Sequence, residues 1–206
     1  MLAIVIPAHN EAAHIGACVA AARRAADHHQ LLGEAACVIV VADSCADETA
    51  GIARAMGAEV SCIDARNVGM ARAHGAERAL ALGARWLAFT DADTTVAEDW
   101  LVRQLDCCAD AVCGVIGVHD WSPHLGAVRE HFGRTYTDAD GHRHIHGANL
   151  GVSARAYVQA GEHRQGDQRH AAGSELHGDF VSLGFSCEGK NVRKRSWTKQ
   201  NVRSII

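Results

Sequence analysis

The chain reads as an α/β protein with a mostly parallel central sheet flanked by helices on both sides. Three observations carry that reading. Strand and helix patterns alternate four times before residue 91. The strands are continuous apolar runs, not apolar–polar alternations, as expected of strands buried on both faces. Three strand ends carry polar residues suited to a ligand: Asn10 and Glu11, Asp43, and Asp91 with Asp93. Ligands in open α/β sheets sit outside the carboxyl ends of the strands. Such a convergence is harder to obtain by accident than any one acidic turn.

Each element has its own local reason. Leu2–Ile6 is a short β-branched run ended by Pro7 and predicts a buried first strand. Asn10-Glu11 then opens a long predicted helix, Glu11 to about Leu32, with Ile15, Cys18, Val19 and Ala22 at helical spacing and Gly33 as C-cap. Cys37–Ala42 is a second apolar strand ending at Asp43. The polar turn Ser44–Thr49 follows, and Asp47 is placed to cap a helix running to about Met56. Glu59–Ile63 is the third strand. Asn67-Val68-Gly69 opens a helix, Met70–Leu82, stopped by Gly83, and Trp86–Thr90 is the fourth strand.

Beyond it, Thr94–Ala109 predicts a helix with Trp100, Leu101 and Leu105 on one side. Ala111–Val118 predicts a strand, His119–Pro123 a break, Leu125–Tyr136 a helix and Thr137–His146 a polar loop. Ala148–Val152 leads into a helix from Ser153 to about Ala160. Trp121 and Trp197 read as packing aromatics.

Composition narrows the class. At 206 residues and 21.9 kDa the chain suits one domain with a real core. A formal charge of −4 gives no reason to expect nucleic acid or an anionic membrane as partner. No run approaches the ~18 apolar residues of a membrane span, and the first seven residues lack the charged region of a signal peptide. Eight cysteines without a C-x-x-C pair read as free thiols. A cytoplasmic protein is the expectation. The alternating histidines 142, 144 and 146 are a possible metal site, with a solvated polar face as the preferred reading.

The run Trp86-Leu87-Ala88-Phe89-Thr90-Asp91-Ala92-Asp93 is the centre of the chemistry. In a strand, residues i and i+2 point the same way. If strand geometry persists, Asp91 and Asp93 present both carboxylates on one side of the tip. Two hard oxygen donors there suit Mg²⁺ or Mn²⁺, which bind one or two carboxylates plus substrate phosphates. A solvated acidic turn is the bland alternative.

Together these stretches resemble a family 2 glycosyltransferase with the GT-A fold. Ile4-Val5-Ile6-Pro7-Ala8-His9-Asn10-Glu11 resembles the family's strand followed by P-x-x-N-E. Val41–Thr49 resembles V-D-D-G-S-x-D-x-T, with Ala42 for the first Asp and Ser44 for the Gly. Asn67–Ala73 resembles N-x-G-x-x-x-A, Asp91-Ala92-Asp93 matches D-x-D, and Gly147–Gly151 resembles the acceptor-side G-x-N segment. The resemblance covers about residues 2–161. It implies a GT-A-like domain over 1–161, with a donor half of about 1–95 and an acceptor half of about 96–161.

The resemblance further implies a nucleotide-diphospho-sugar donor, a UDP-sugar first, transferred with inversion to an unknown hydroxyl acceptor. By position, Pro7, Ala8 and Glu11 line the nucleoside pocket and Asp43 accepts a hydrogen bond from the base. Arg72 lies near the diphosphate, Asp91 approaches the ribose or sugar, and Asp93 ligates the metal. Each has a plainer reading. Glu11 and Asp47 also suit a helix N-terminus, the reading preferred for Asp47, and Arg72 also suits a helix surface.

The pattern breaks near residue 162. Gln159-Ala160-Gly161 continues Glu162-His163-Arg164, and the family's acidic E-D pair, source of the general base, does not follow. All three lysines lie at or beyond Lys190, no alanine follows Ala172, and from Lys190 there are six basic and no acidic residues. This change suggests a frameshift or truncation, so that residues 162–206 form a divergent, poorly ordered tail. Glu175 and Asp179 are weak candidates for the base. A second reading is therefore a catalytically impaired nucleotide-sugar-binding remnant. A third, a His-rich metal-binding protein, predicts tight Zn²⁺ binding that survives loss of Asp93.

Overall fold

The computed structural model describes residues 1–118, 121–122, 125–142 and 145–160, with the strands Val192–Arg195 and Val202–Ser204. The first part of the chain runs β1 (Leu2–Ala8), α1 (Ile15–Ala26), β2 (Ala36–Asp43), α2 (Thr49–Ala55), β3 (Glu59–Ile63), α3 (Val68–Ala81) and β4 (Trp86–Phe89). The chain continues through β5 (Thr94–Val96), α4 (Trp100–Asp106), β6 (Ala111–Gly114), β7 (Gly117–Val118), α5 (Gly126–Thr135), β8 (Leu150–Ser153) and α6 (Ala154–Gln159). The last strands are β9 (Val192–Arg195) and β10 (Val202–Ser204).

The main sheet has the order β3-β2-β1-β4-β8-β6-β9. The first four strands are mutually parallel, whereas β8 runs antiparallel to both its neighbours. A small second sheet has the order β5-β10-β7. The expected mostly parallel sheet is present.

The continuous apolar runs work as predicted because each strand feeds two cores. Leu2, Ile4 and Ile6 of β1, Val38 and Val40 of β2, and Trp86 and Ala88 of β4 pack with α1, α2 and α4. The intervening Ala3, Val5, Ile39, Val41, Leu87 and Phe89 pack with α3 and α6 on the opposite face. Period-2 alternation thus distributes residues between two layers.

Gly75 sets how closely α3 approaches the sheet. A Cβ there would meet Val5 Cγ1 at 2.4 Å and Val41 Cγ2 at 3.1 Å. Gly75→Val should therefore destabilise the fold by about 1–3 kcal/mol, the usual cost of overpacking, and thermal unfolding measures it. Gly133 in α5 has nothing within 4 Å of a built Cβ. Gly133→Ala should instead raise stability by up to about 1 kcal/mol.

Several boundaries differ from expectation. The first helix spans Ile15–Ala26, shorter at both ends than the predicted 11–32. At its start Asn10 takes a left-handed φ of 57°, while the Glu11 and Ala12 amides donate to Thr49 and Asp47 across the β2–α2 turn. At its end His28 is extended and opens a separate short turn, His29–Leu31. Leu32 is 91% exposed, so no apolar face extends that far.

Thr94–Val96 is a strand, not the start of a helix, and the helix begins only at Trp100. Three β-branched residues in a row favour an extended backbone, and β10 supplies the partner. The predicted strand 111–118 divides after Gly114, whose amide turns to the Asn149 carbonyl at 2.9 Å.

The seven described cysteines are free thiols, and among the described residues no helix is long and apolar enough to cross a membrane. The histidine run is not a solvated face. His142 is 3% exposed and His146 Nε2 lies 3.1 Å from the Tyr136 hydroxyl, while His144 falls outside the described residues. The expected tail beyond residue 161 also lies outside them, apart from β9 and β10.

Candidate functional site

The carboxyl ends of β1, β2 and β4 open into one cleft of about 750 Å³. The chain leaves β1 towards β2 on one side and reaches β4 on the other, which is where open α/β sheets form a crevice. Pro7, Ala8, Glu11, Asp43, Asp91 and Asp93 all line it, as do His9 and Arg66. Of the residues predicted within the described segments, only Arg72 is absent from the wall.

Asp43 anchors one end. It is 4% exposed, and its Oδ1 accepts from the Ala65 and Arg66 amides at 2.8 and 2.9 Å while Oδ2 accepts from the Asn67 amide at 2.7 Å. The Ser44 hydroxyl lies 3.0 Å from the same Oδ1, and 2.6 Å from Asp64 Oδ1. Burial alone would raise this carboxyl, but the three amides and the hydroxyl outweigh it and hold its pKa below the ordinary value. Asp43 is thus held ionised and fixed, and it in turn holds the loop that opens α3. Asn67 completes that start, its side-chain oxygen accepting from the Met70 amide at 3.0 Å.

Glu48, not Asp47, is the N-cap residue of α2; Asp47, one position ahead, accepts from the Thr49 amide at 3.0 Å, and its second oxygen takes the Ala12 amide at 3.0 Å. The Thr49 hydroxyl accepts from the Glu11 amide at 2.7 Å. Asp47 and Thr49 therefore seat the Glu11 segment against β2. His9, which no sequence signal marked, has Nδ1 2.7 Å from the Asp43 carbonyl. Asn10 is oriented by the Ala46 amide donating to its Oδ1 at 2.8 Å, so its Nδ2 faces His9 Nε2 at 3.2 Å. In its neutral form the imidazole thus carries its proton on Nδ1.

The acidic tip forms the other end. Strand geometry stops at Phe89, and the Thr94 amide donates to the Asp91 carbonyl at 3.0 Å, closing a turn. Strand alternation is therefore not what aligns Asp91 and Asp93; the turn brings both to the cleft. Asp91 Oδ1 accepts from Arg72 Nη2 at 2.7 Å. Arg72 is 5% exposed, so it is neither a surface residue nor a cation in the cleft wall. It sits behind Asp91 and holds it.

Asp93 carries the clearest electrostatic signature. Burial first, then the charges of Asp91 and Glu11, push its carboxyl up from 3.8 to about 6. Its own burial, then the charges of Asp93 and Asp91, push the Cys18 thiol, which donates to the Asp91 carbonyl at 3.3 Å, up to about 12. Arg72 compensates Asp91, but Asp93 stands beside the charges of Asp91 and Glu11, an arrangement that suits a divalent ion. Among the described residues no group of three or more His, Cys, Asp or Glu could hold one by itself.

A pH dependence follows. Between the ordinary 3.8 and about 6 the folded state binds the extra proton, so metal-free stability falls as pH rises through that interval. Asp93→Asn should remove this loss, raising metal-free stability above pH 7 by at most about 3 kcal/mol and leaving it unchanged below pH 4. Thermal melts in chelator across pH 4–8 measure the difference.

The sequence pattern of glycosyl transferase family 2 matches residues 3–164. The chain belongs to this family. No curated relative matches by sequence. Solved structures show the GT-A fold. The crystal structure of S. aureus TarS 1-349 in complex with UDP-GlcNAc superposes with a TM-score of 0.67 at 11% identity, covering 100% of this chain and 58% of that one. Glucosyl-3-phosphoglycerate synthase from Mycobacterium tuberculosis, in complex with Mn²⁺, UDP and glucosyl-3-phosphoglycerate, superposes at 0.53 with 18% identity, covering 77% and 58%. This chain thus spans less than two thirds of the length of either. The family match stops at residue 164, beside the place where the sequence leaves the family pattern.

In this family member the G-x-N segment is a structural joint. Asn149 Oδ1 accepts from Trp100 Nε1 at 2.8 Å and its Nδ2 donates to the Val115 carbonyl at 2.9 Å, tying α4 to the end of β6. Gly147 leaves room for Arg72, since a Cβ there would lie 2.3 Å from Arg72 Nη2. The segment therefore buttresses the Arg72–Asp91 pair. Glu175 and Asp179 fall outside the described residues.

Proposed function

We propose that the protein transfers a sugar from a nucleotide-diphospho-sugar, a UDP-sugar first, to a hydroxyl acceptor with inversion, using Mg²⁺ or Mn²⁺. The observation that carries this reading is the cleft itself. One end is a fixed, ionised acceptor at Asp43, and the other gathers Asp91, Asp93 and Glu11 around a carboxyl whose pKa is raised to about 6. UDP-GlcNAc in the TarS complex, and UDP with Mn²⁺ in the mycobacterial synthase, are ligands of that chemistry on the same fold.

In this reading Pro7, Ala8 and Glu11 line the nucleoside side and Asp43 accepts from a base N–H. Asp91, held by Arg72, faces the ribose or sugar, and Asp93 with Asp91 would hold the metal. When bound, the cation supplies Lewis-acid neutralisation of the charge that develops on the departing nucleoside diphosphate. The acceptor oxygen forms its bond to the anomeric carbon as the carbon–oxygen bond to the diphosphate breaks. A general base takes the hydroxyl proton.

The alternative is a binder of nucleotide sugars without turnover. It is favoured by one observation, the departure from the family pattern where an E-D pair is expected. Calorimetry of UDP and UDP-glucose with and without Mn²⁺, followed by a release assay for UDP, separates the two. Mn²⁺-dependent binding with turnover is the expected result. Binding without turnover would select the alternative, and no binding by folded protein would overturn both.

A further inference from the structure

From Lys190 onward the chain holds six basic residues and no acidic one. The described lining of the cleft is the reverse, with Glu11, Asp43, Asp91 and Asp93 against a single arginine, Arg66. Arg72 is committed to Asp91 at 2.7 Å. A nucleoside diphosphate brought to that lining adds negative charge, of which one divalent ion cancels only part.

Topology carries the basic segment to the same edge of the sheet. Strand β8 runs antiparallel to both β4 and β6, so β6 is parallel to β4 and its carboxyl end lies on the cleft side. Strand β9 is parallel to β6, with Arg193 opposite Val112, Lys194 opposite Cys113 and Arg195 opposite Gly114. It therefore ends on the cleft side too. Strand β10 then pairs antiparallel with β5, which starts directly after Asp93. Its register sets Arg203 opposite Thr95, with Val202 and Ser204 opposite Val96 and Thr94. Thr94 and Val96 are buried, whereas Thr95 is half-buried. Directly opposed residues of an antiparallel pair share a face. Val202 and Ser204 thus take the buried face, and Arg203 the more open one, at a register position two residues past Asp93.

We propose that the carboxyl-terminal strands complete an anion site at the acidic tip, in which Arg203 binds the diphosphate of the nucleotide. This inference rests on the proposed function and adds to it a residue from beyond the family match, which stops at residue 164. A guanidinium suits the task because its planar fork meets two phosphate oxygens at once. Pairing with β5 fixes where that charge sits along the chain of the metal-binding turn. Residues beyond 161, which the sequence pattern alone sets aside as a divergent tail, then belong to the working site.

The test is competition calorimetry of UDP and UMP on the full chain with Mn²⁺ present, using wild type, Arg203→Gln, Arg203→Lys and Lys190→Gln. Arg203→Gln should weaken UDP about tenfold, the usual scale for a charge-assisted contact, and UMP less than twofold. Arg203→Lys should be intermediate for UDP. Lys190→Gln removes the same charge ahead of the amino end of β9, at the far edge of the sheet, and should leave both ligands within twofold. Unchanged UDP affinity in Arg203→Gln would overturn the inference. So would equal weakening of UDP and UMP, or equal effects of the Arg203 and Lys190 substitutions, which would mark a diffuse charge effect. Wild type that binds UDP and is indifferent to Arg203 leaves the proposed function standing. Wild type that binds neither ligand overturns the proposed function first, and this inference with it.

Discussion

Asp93→Ala is expected to abolish Mn²⁺-dependent nucleotide binding, lowering affinity for UDP in Mn²⁺ by at least about 100-fold, or about 3 kcal/mol. The group removed is the carboxyl that burial, Asp91 and Glu11 together raise to about 6. In the metal-free protein its negative charge is unfavourable, so the substitution should not harm the fold. Binding should disappear while the metal-free melting temperature at pH 7–8 holds or rises. A protein that kept Mn²⁺-dependent binding after Asp93→Ala would place the metal elsewhere, and retained tight Zn²⁺ binding would revive the His-rich reading.

Asp43→Ala should act in the opposite way, through the fold first. Three partly buried backbone amides, from Ala65, Arg66 and Asn67, would lose their acceptor at once. Unsatisfied donors cost about 1–3 kcal/mol each, and water can repay part of that. A loss of about 2–4 kcal/mol in chemical denaturation is expected, with nucleotide binding lost as well. The pH dependence also has the opposite sign. The folded carboxyl is held below its ordinary pKa, so its contribution is present above the ordinary carboxylate range and lost as pH falls through the folded value. Acid should therefore weaken the wild type more than Asp43→Ala. Equal acid sensitivity of the two proteins would show that the three amides do not depend on this carboxylate.

The two substitutions separate roles that the sequence presents alike. Asp43 and Asp93 both stand at strand ends in recognisable motifs, yet one carboxylate is saturated with donors and the other lacks compensation. The difference lies in what surrounds them. The amides on Asp43 come from residues 65–67, on the far side of β3, whereas Asp93 is surrounded by Asp91, Glu11 and buried apolar atoms. Neither environment is local to its motif.

Legibility followed the range of the interaction. Residues 2–6, 37–42 and 86–90 were readable as strands because continuous apolar runs bounded by Pro7, Asp43 and Asp91 are local signals, and only Thr90 falls outside the fourth strand. Helix extents were less readable where tertiary contacts intervened. Residues 11–14 share helical composition with α1 but are drawn to Asp47 and Thr49, and Thr94–Val96 became a strand because β10 pairs with it. Asp43, Asp91 and Asp93 were identifiable from their place at strand ends. His9 and Arg66 carried no such mark, being single polar residues in loops.

By itself the sequence determined the α/β class, the alternation of strands and helices before residue 91, and the acidic positions at the strands' carboxyl ends. Apolar periodicity and motif spacing are written along the chain, and short segments suffice to express them. Only the tertiary structure decided that Arg72 is buried behind Asp91, that Gly147 makes the room for it, and that Arg66 is left facing the cleft. Gly147 lies 75 positions from Arg72, and the glycine matters only because no Cβ fits between it and the guanidinium. Whether an arginine meets a ligand or a neighbouring carboxylate depends on packing between distant segments, and no local pattern encodes that.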